Sequence, residues 1–169
     1  MRLFIAIQFN KEMADALEAL QGDLQFCGVH GSYTRPENLH LTLAFIGEYP
    51  DPEKVMDALK AVRFSPFDIS LDMPGRFGDL WWAGITDTAP LEAVVRRIRR
   101  ALAEANIPFD KKRFKPHVTL IRRSKIDGAP PECQFVEPTS MRVSRISLMR
   151  SDRGKHGMIY TEVGAIDAE

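Results

Sequence analysis

Two stretches of the 169-residue chain repeat one pattern of reactive side chains, His40-Leu41-Thr42-Leu43 and His117-Val118-Thr119-Leu120. Along an extended strand, positions i and i+2 face the same side, about 6.5–7 Å apart. Each histidine therefore shares a face with its threonine. Imidazoles titrate near neutrality, so one of a pair can hold a proton while the other accepts one. Threonine hydroxyls donate to non-bridging oxygens, and a nearby arginine neutralises charge as it develops. Phosphate is the group that uses all of these together. A metal site is the competing chemistry, but the partners of the two histidines are threonines, not Asp, Glu or Cys. The other histidines, His30 and His156, sit in glycine-containing loops with no matching threonine. They read as ordinary hydrogen-bonded or surface residues.

The elements that must position these pairs are legible from periodicity. Arg2 to Gln8 is a dense apolar run, as in a buried strand, and Asn10 caps a helix with Met13, Leu17 and Leu20 at helical spacing. Gly28 to Asn38 reads as a loop, and His40 to Gly47 as a central strand. Asp51 and Pro52 open a short helix. Phe67 to Met73 and Leu80 to Ile85 are strands, and the adjacent Trp81 and Trp82 must face opposite ways. A helix runs from Thr88 and Pro90 to about Asn106. Leu91, Val94, Val95, Ile98 and Leu102 line one side of it, and Arg96, Arg97, Arg99 and Arg100 the other. Strands follow at His117 to Arg123, around Val143 to Met149, and at Met158 to Gly164, the last two joined by the turn-rich SDRGKHG. This order predicts an α+β fold of antiparallel sheets with helices packed outside. The motif spacing, near half the chain length, predicts one bilobal domain of duplicated origin with the pairs converging on a central cleft. Its halves would be about 1–86 and 87–169, with strands free to swap between lobes.

Composition bounds the partners. The chain has 23 basic and 23 acidic residues, yet residues 96–125 carry eleven Arg or Lys against Glu104 and Asp110 alone. The zero net charge is thus a segregated balance that permits a polyanionic partner. The apolar run in MRLFIAIQFN is too short for a signal peptide or a membrane span. Cys27 and Cys133 stand apart without metal-binding spacing and read as reduced thiols. The expected compartment is the cytoplasm.

HLTL and HVTL resemble the tandem HxTx signatures of the 2H phosphoesterases. MRLFIAI, RPENLHLTLAFIG, LWWAGI and KRFKPHVTLIRRS extend the likeness to the RNA 2′,3′-cyclic phosphodiesterases of the 2′-5′ RNA ligase family, from Met1 to about Tyr160. The resemblance implies two small antiparallel sheets facing across a cleft. It also implies hydrolysis of an RNA terminal 2′,3′-cyclic phosphate to a 2′-phosphate, without metal or other cofactor. His40 would then be the general acid, His117 the general base, and Thr42 and Thr119 the holders of phosphate oxygens. The family places an arginine five residues after the second histidine, which is Arg122. Strict alternation from His117 favours Arg123 instead, and a bulge or a strand twist would bring Arg122 to the same face; the resemblance favours Arg122, with Arg123 as the rival.

Further substrate contacts are expected from Arg35 in the loop before the first motif, from Phe45, and from Lys115 within the basic stretch 111–115. Tyr33 occupies the place where the family usually has a tryptophan, and it is the expected base contact. The partner implied is an RNA 3′ end, no membrane is involved, and a complete cleft in one chain makes a monomer sufficient. Three other readings remain open on sequence: 2′-5′ ligation, action on a small cyclic nucleotide, and a non-catalytic RNA-end-binding module.

Overall fold

The computed structural model describes residues 1–86, 88–129 and 139–169; Cys133 lies outside the described residues. The chain runs β1 (Arg2–Gln8), α1 (Lys11–Phe26), β2 (Val29–Tyr33), a 3₁₀ turn (Pro36–Asn38), β3 (His40–Glu48), α2 (Pro52–Lys60), β4 (Phe67–Phe77) and β5 (Leu80–Thr86). It continues through α3 (Ala89–Glu104), β6 (His117–Ile126), β7 (Ser140–Val143), β8 (Arg145–Gly154) and β9 (Gly157–Asp167). Among the described residues all pairings are antiparallel, in two sheets: β3-β1-β8-β9 and β2-β6-β5-β4-β7. The fold is α+β, and each sheet draws strands from both halves of the chain.

β1 explains the density of its apolar run. Leu3, Ile5 and Ile7 are fully buried in the main core, while Phe4 and Ala6 join Met149 in a second small cluster. Phe45 and Tyr160 pack on that cluster. Strand alternation puts the two sets on opposite faces, so both sides of the four-stranded sheet are covered. Helix starts follow local chemistry. The Asn10 side chain accepts from the Met13 N–H at 2.9 Å, and Asp51 accepts from the Lys54 N–H at 3.1 Å. The apolar face of α3 (Leu91, Val94, Val95, Ile98, Leu102) is buried, leaving Arg96, Arg97 and Arg100 exposed. Among the described residues no helix is long and apolar enough to cross a membrane.

Three local readings are corrected. Val29–Tyr33 is a strand, not part of a loop: it pairs with β6 at the sheet edge, where three of its five residues stay exposed. An edge strand needs no apolar alternation to keep its ladder, so its sequence resembles a loop. SDRG belongs to β8, since the β8–β9 ladder continues to Gly154↔Gly157 and leaves only Lys155 and His156 to turn. Gly157 takes φ +118 to close that turn. Ser140–Val143 is a separate strand paired with β4.

Candidate active site

β3 and β6 do more than alternate. In β3, Leu41, Leu43 and Ala44 are buried, so two successive residues face the core. The register with β1 slips there, from Ala6↔Thr42 to Ile5↔Ala44. In β6, Leu120 and Ile121 are likewise both buried, and the register with β5 slips from Trp82↔Thr119 to Trp81↔Ile121. Each strand thus carries one extra residue three places after its histidine, and this bulge reverses the facing of the residues beyond it. His40, Thr42 and Phe45 come to share one face, as do His117, Thr119 and Arg122.

The two faces meet. A cavity of about 250 Å³ is lined by Thr34, Asn38, His40, Thr42, His117, Thr119, Arg122 and Tyr160. Arg122 also lines an adjoining cavity of about 460 Å³ with Arg2, Phe45, Glu48 and Arg153. Arg123 takes φ +52 and donates to Ser32 Oγ at 3.2 Å. The choice that alternation left open therefore falls geometrically on Arg122.

Both imidazoles are oriented in the same way. His40 Nδ1–H donates to the Asn38 carbonyl at 2.7 Å, and His117 Nδ1–H to the Lys115 carbonyl at 2.7 Å. A carbonyl only accepts, so each ring keeps its proton on Nδ1 and leaves Nε2 for chemistry. His40 Nε2 lies 2.8 Å from Thr42 Oγ1, whose hydroxyl donates to it when the ring is neutral.

The surroundings of the two rings differ. His40 stands among aromatic rings, Phe4 at 4.9 Å and Tyr160 at 5.2 Å between centroids, the latter edge-on at 89°. Asn38 ties this cage to β9 by donating from Nδ2 to the Met158 carbonyl at 2.9 Å. Burial holds the His40 pKa below its ordinary value, against the Asn38 hydrogen bond, and the charges of Arg122 and His117 lower it further. His117 is exposed.

The remaining expected contacts divide. Phe45 and Lys115 line a cavity of about 290 Å³ beside His117, with Arg99, Lys112, Arg113 and Phe114. Arg35 is exposed, its guanidinium 3.7 Å from where a Cβ on Gly157 would stand. Tyr33 turns away from the cleft: its ring packs on the main core and its hydroxyl donates to the Val29 carbonyl at 2.6 Å. It faces inward because it pairs with the buried Ile121. Phe4, Thr34, Asn38 and Tyr160 were not singled out by sequence. Of the basic segment, Arg122 lines the cleft and Arg99, Lys112, Arg113 and Lys115 line the cavity beside His117, whereas Arg97 donates to the Arg63 carbonyl at 3.2 Å elsewhere. Among the described residues no three His, Cys, Asp or Glu side chains gather to hold a metal ion.

Two antiparallel sheets, each presenting a His-x-Thr pair to one cleft, define a 2H phosphoesterase. More narrowly, residues 9–155 match the model of the 2′-5′ RNA ligase superfamily, and the chain belongs to it. The RNA 2′,3′-cyclic phosphodiesterase of Thermus thermophilus is 32% identical over 177 residues, spanning 95% of this chain and 87% of the relative. That of Aeropyrum pernix is 30% identical over 170 residues, spanning 92% and 97%. Among solved structures, TT0787 of T. thermophilus matches with a TM-score of 0.77 at 29% identity, covering 99% of this chain and 97% of the other. LigT of E. coli complexed with 3′-AMP matches in fold, with a TM-score of 0.81 at 23% identity over 99% and 97%.

Proposed function

We propose that the protein hydrolyses 2′,3′-cyclic phosphates at RNA 3′ ends, leaving a 2′-phosphate, by acid–base chemistry of His40 and His117. The observation that carries this reading is the convergence of both His-x-Thr pairs and Arg122 on one cavity of about 250 Å³. Likeness to relatives named RNA 2′,3′-cyclic phosphodiesterase supports it. A five-membered cyclic phosphate is strained, so one in-line attack by water opens it. His117 Nε2 takes the water proton as the P–O bond forms, and His40 Nε2–H protonates the departing 3′ oxygen. Thr42, Thr119 and Arg122 donate to the non-bridging oxygens as their charge grows. No covalent intermediate is needed. The cleft's own donors account for each step, so the reaction is metal-independent in this reading.

The lowered His40 pKa fits a particular sequence of events. In the empty cleft the ring is neutral and accepts from Thr42. An arriving phosphate anion offsets the Arg122 charge and favours the protonated ring. The ring then donates, and Thr42 turns its hydroxyl to phosphate.

The test is incubation with an oligonucleotide ending in a 2′,3′-cyclic phosphate, in EDTA, with the product read by mass and phosphatase sensitivity. A phosphatase-sensitive 2′-monophosphate is expected. Binding without turnover would leave only an RNA-end-binding module, and turnover that EDTA abolishes and a metal restores would overturn the metal-free mechanism.

A further inference from the structure

Trp82 belongs to the cleft face, yet the proposed hydrolysis gives it no part. On β5, Trp81, Ala83 and Ile85 turn into the core, which leaves Trp82 and Gly84 on the opposite face. Trp82 pairs directly with Thr119, and Gly84 with His117. The indole therefore projects from the same face as the second histidine pair, one strand away. It leans over Gly75, its partner on β4, so closely that a Cβ there would stand 2.3 Å from two ring carbons. A Cβ on Gly84 would stand 3.6 Å from the ring. Bare glycine backbone lets the indole lie across the sheet. Two residues beyond Gly75 on that face comes Phe77, which is 80% exposed.

We infer that Trp82, with Phe77 beyond it, is a stacking platform for the bases of the RNA strand that precedes the cyclic phosphate. The inference rests on the reading of the paired histidines as the site of a terminal cyclic phosphate. The occupant is single-stranded RNA because Trp82 stands directly across from Thr119, which lines the cavity proposed to hold the phosphate and which an apolar partner would leave unpaired. Stacking on an aromatic ring accepts any base, so the platform adds affinity for longer strands without demanding a sequence. A mononucleotide, held at the histidines alone, does not reach it.

The test sets a tetranucleotide ending in a 2′,3′-cyclic phosphate against a mononucleoside 2′,3′-cyclic phosphate. In the native protein kcat/KM favours the tetranucleotide. Trp82→Leu, which keeps apolar cover on Gly75, cuts that preference at least about tenfold through KM, and Trp82→Phe retains most of it. Equal loss on both substrates, or no loss, would overturn the inference. Tryptophan emission gives a readout independent of turnover, because Trp81 is 5% exposed and quenching reports Trp82. A tetranucleotide ending in a 2′-phosphate quenches the native protein and leaves Trp82→Phe unchanged. Quenching without turnover of either substrate would sink the hydrolytic reading and keep the platform. Absence of quenching sinks the platform whatever the turnover.

Discussion

Phe45 and Arg122 hold the same place in the two copies of the motif, five residues after His40 and His117, and both reach the cleft through a bulge. The bulges fall at the same offset, where Leu43-Ala44 and Leu120-Ile121 are each buried in succession. The duplication thus includes an irregularity as well as a pattern, and its two copies have diverged into an aromatic ring and a guanidinium. Arg122→Ala is expected to lower kcat/KM by about 10²-fold, the scale of a lost transition-state donor. Arg123→Ala, which breaks the contact with Ser32, costs less than about threefold. Steady-state kinetics on a cyclic-phosphate substrate decide between them, and a reversed order would place the wrong arginine at the phosphate.

The His40 ring titrates below its ordinary 6.5. Burial is the leading cause, so Arg122→Gln raises the midpoint only part of the way back. NMR titration of the ring measures both, and a native midpoint at or above 6.5 contradicts the assignment.

The same shift carries a stability consequence. With the folded pKa depressed, the unfolded chain takes up the proton first as pH falls. The contribution is fully present above the unfolded value and is lost as pH falls through the folded one. His40→Gln removes this slope, visible in urea unfolding across a pH series. An unchanged slope would mean that another group causes it.

Tyr160 and Phe4 exclude water from His40 and fix its plane. Tyr160→Ala raises the His40 midpoint, shifts the alkaline limb of the pH–rate profile upward and lowers kcat about tenfold, because the proposed acid is misplaced. Tyr160→Phe keeps the ring packing and restores the native profile. A loss of kcat with an unmoved profile would assign Tyr160 a merely structural role.

Gly75→Ala pushes a Cβ into the Trp82 indole. Overpacking of this kind costs about 1–3 kcal/mol, measurable as a lower denaturation midpoint. Gly22→Ala, where nothing stands within 4 Å, is the control and costs none of it.

Periodicity and repetition made three things legible in the sequence: the buried β1, the amphipathic α3, and the two strands with their histidines and threonines. Two features escaped it for physical reasons. β2 keeps its ladder at a sheet edge without apolar alternation, and Tyr160 reaches His40 only because β9 shares a sheet with β3 by way of β1 and β8. Long-range pairing of that kind leaves no local trace. The bulges did leave one, an apolar pair after each His-x-Thr that breaks the alternation in both copies. Arg122 was legible by likeness, and the break in alternation supplies its physical reason.

The most direct test of the two-histidine cleft compares His40→Ala, His117→Ala and the double variant on a cyclic-phosphate-ended oligonucleotide in EDTA, with circular dichroism confirming the fold. In the proposed mechanism both groups serve one ring-opening step, His117 taking the water proton and His40 giving one to the 3′ oxygen. Each single variant should therefore lose at least about 10³-fold in kcat, and the double should be little worse than either. Near-native turnover in either single variant would contradict the account.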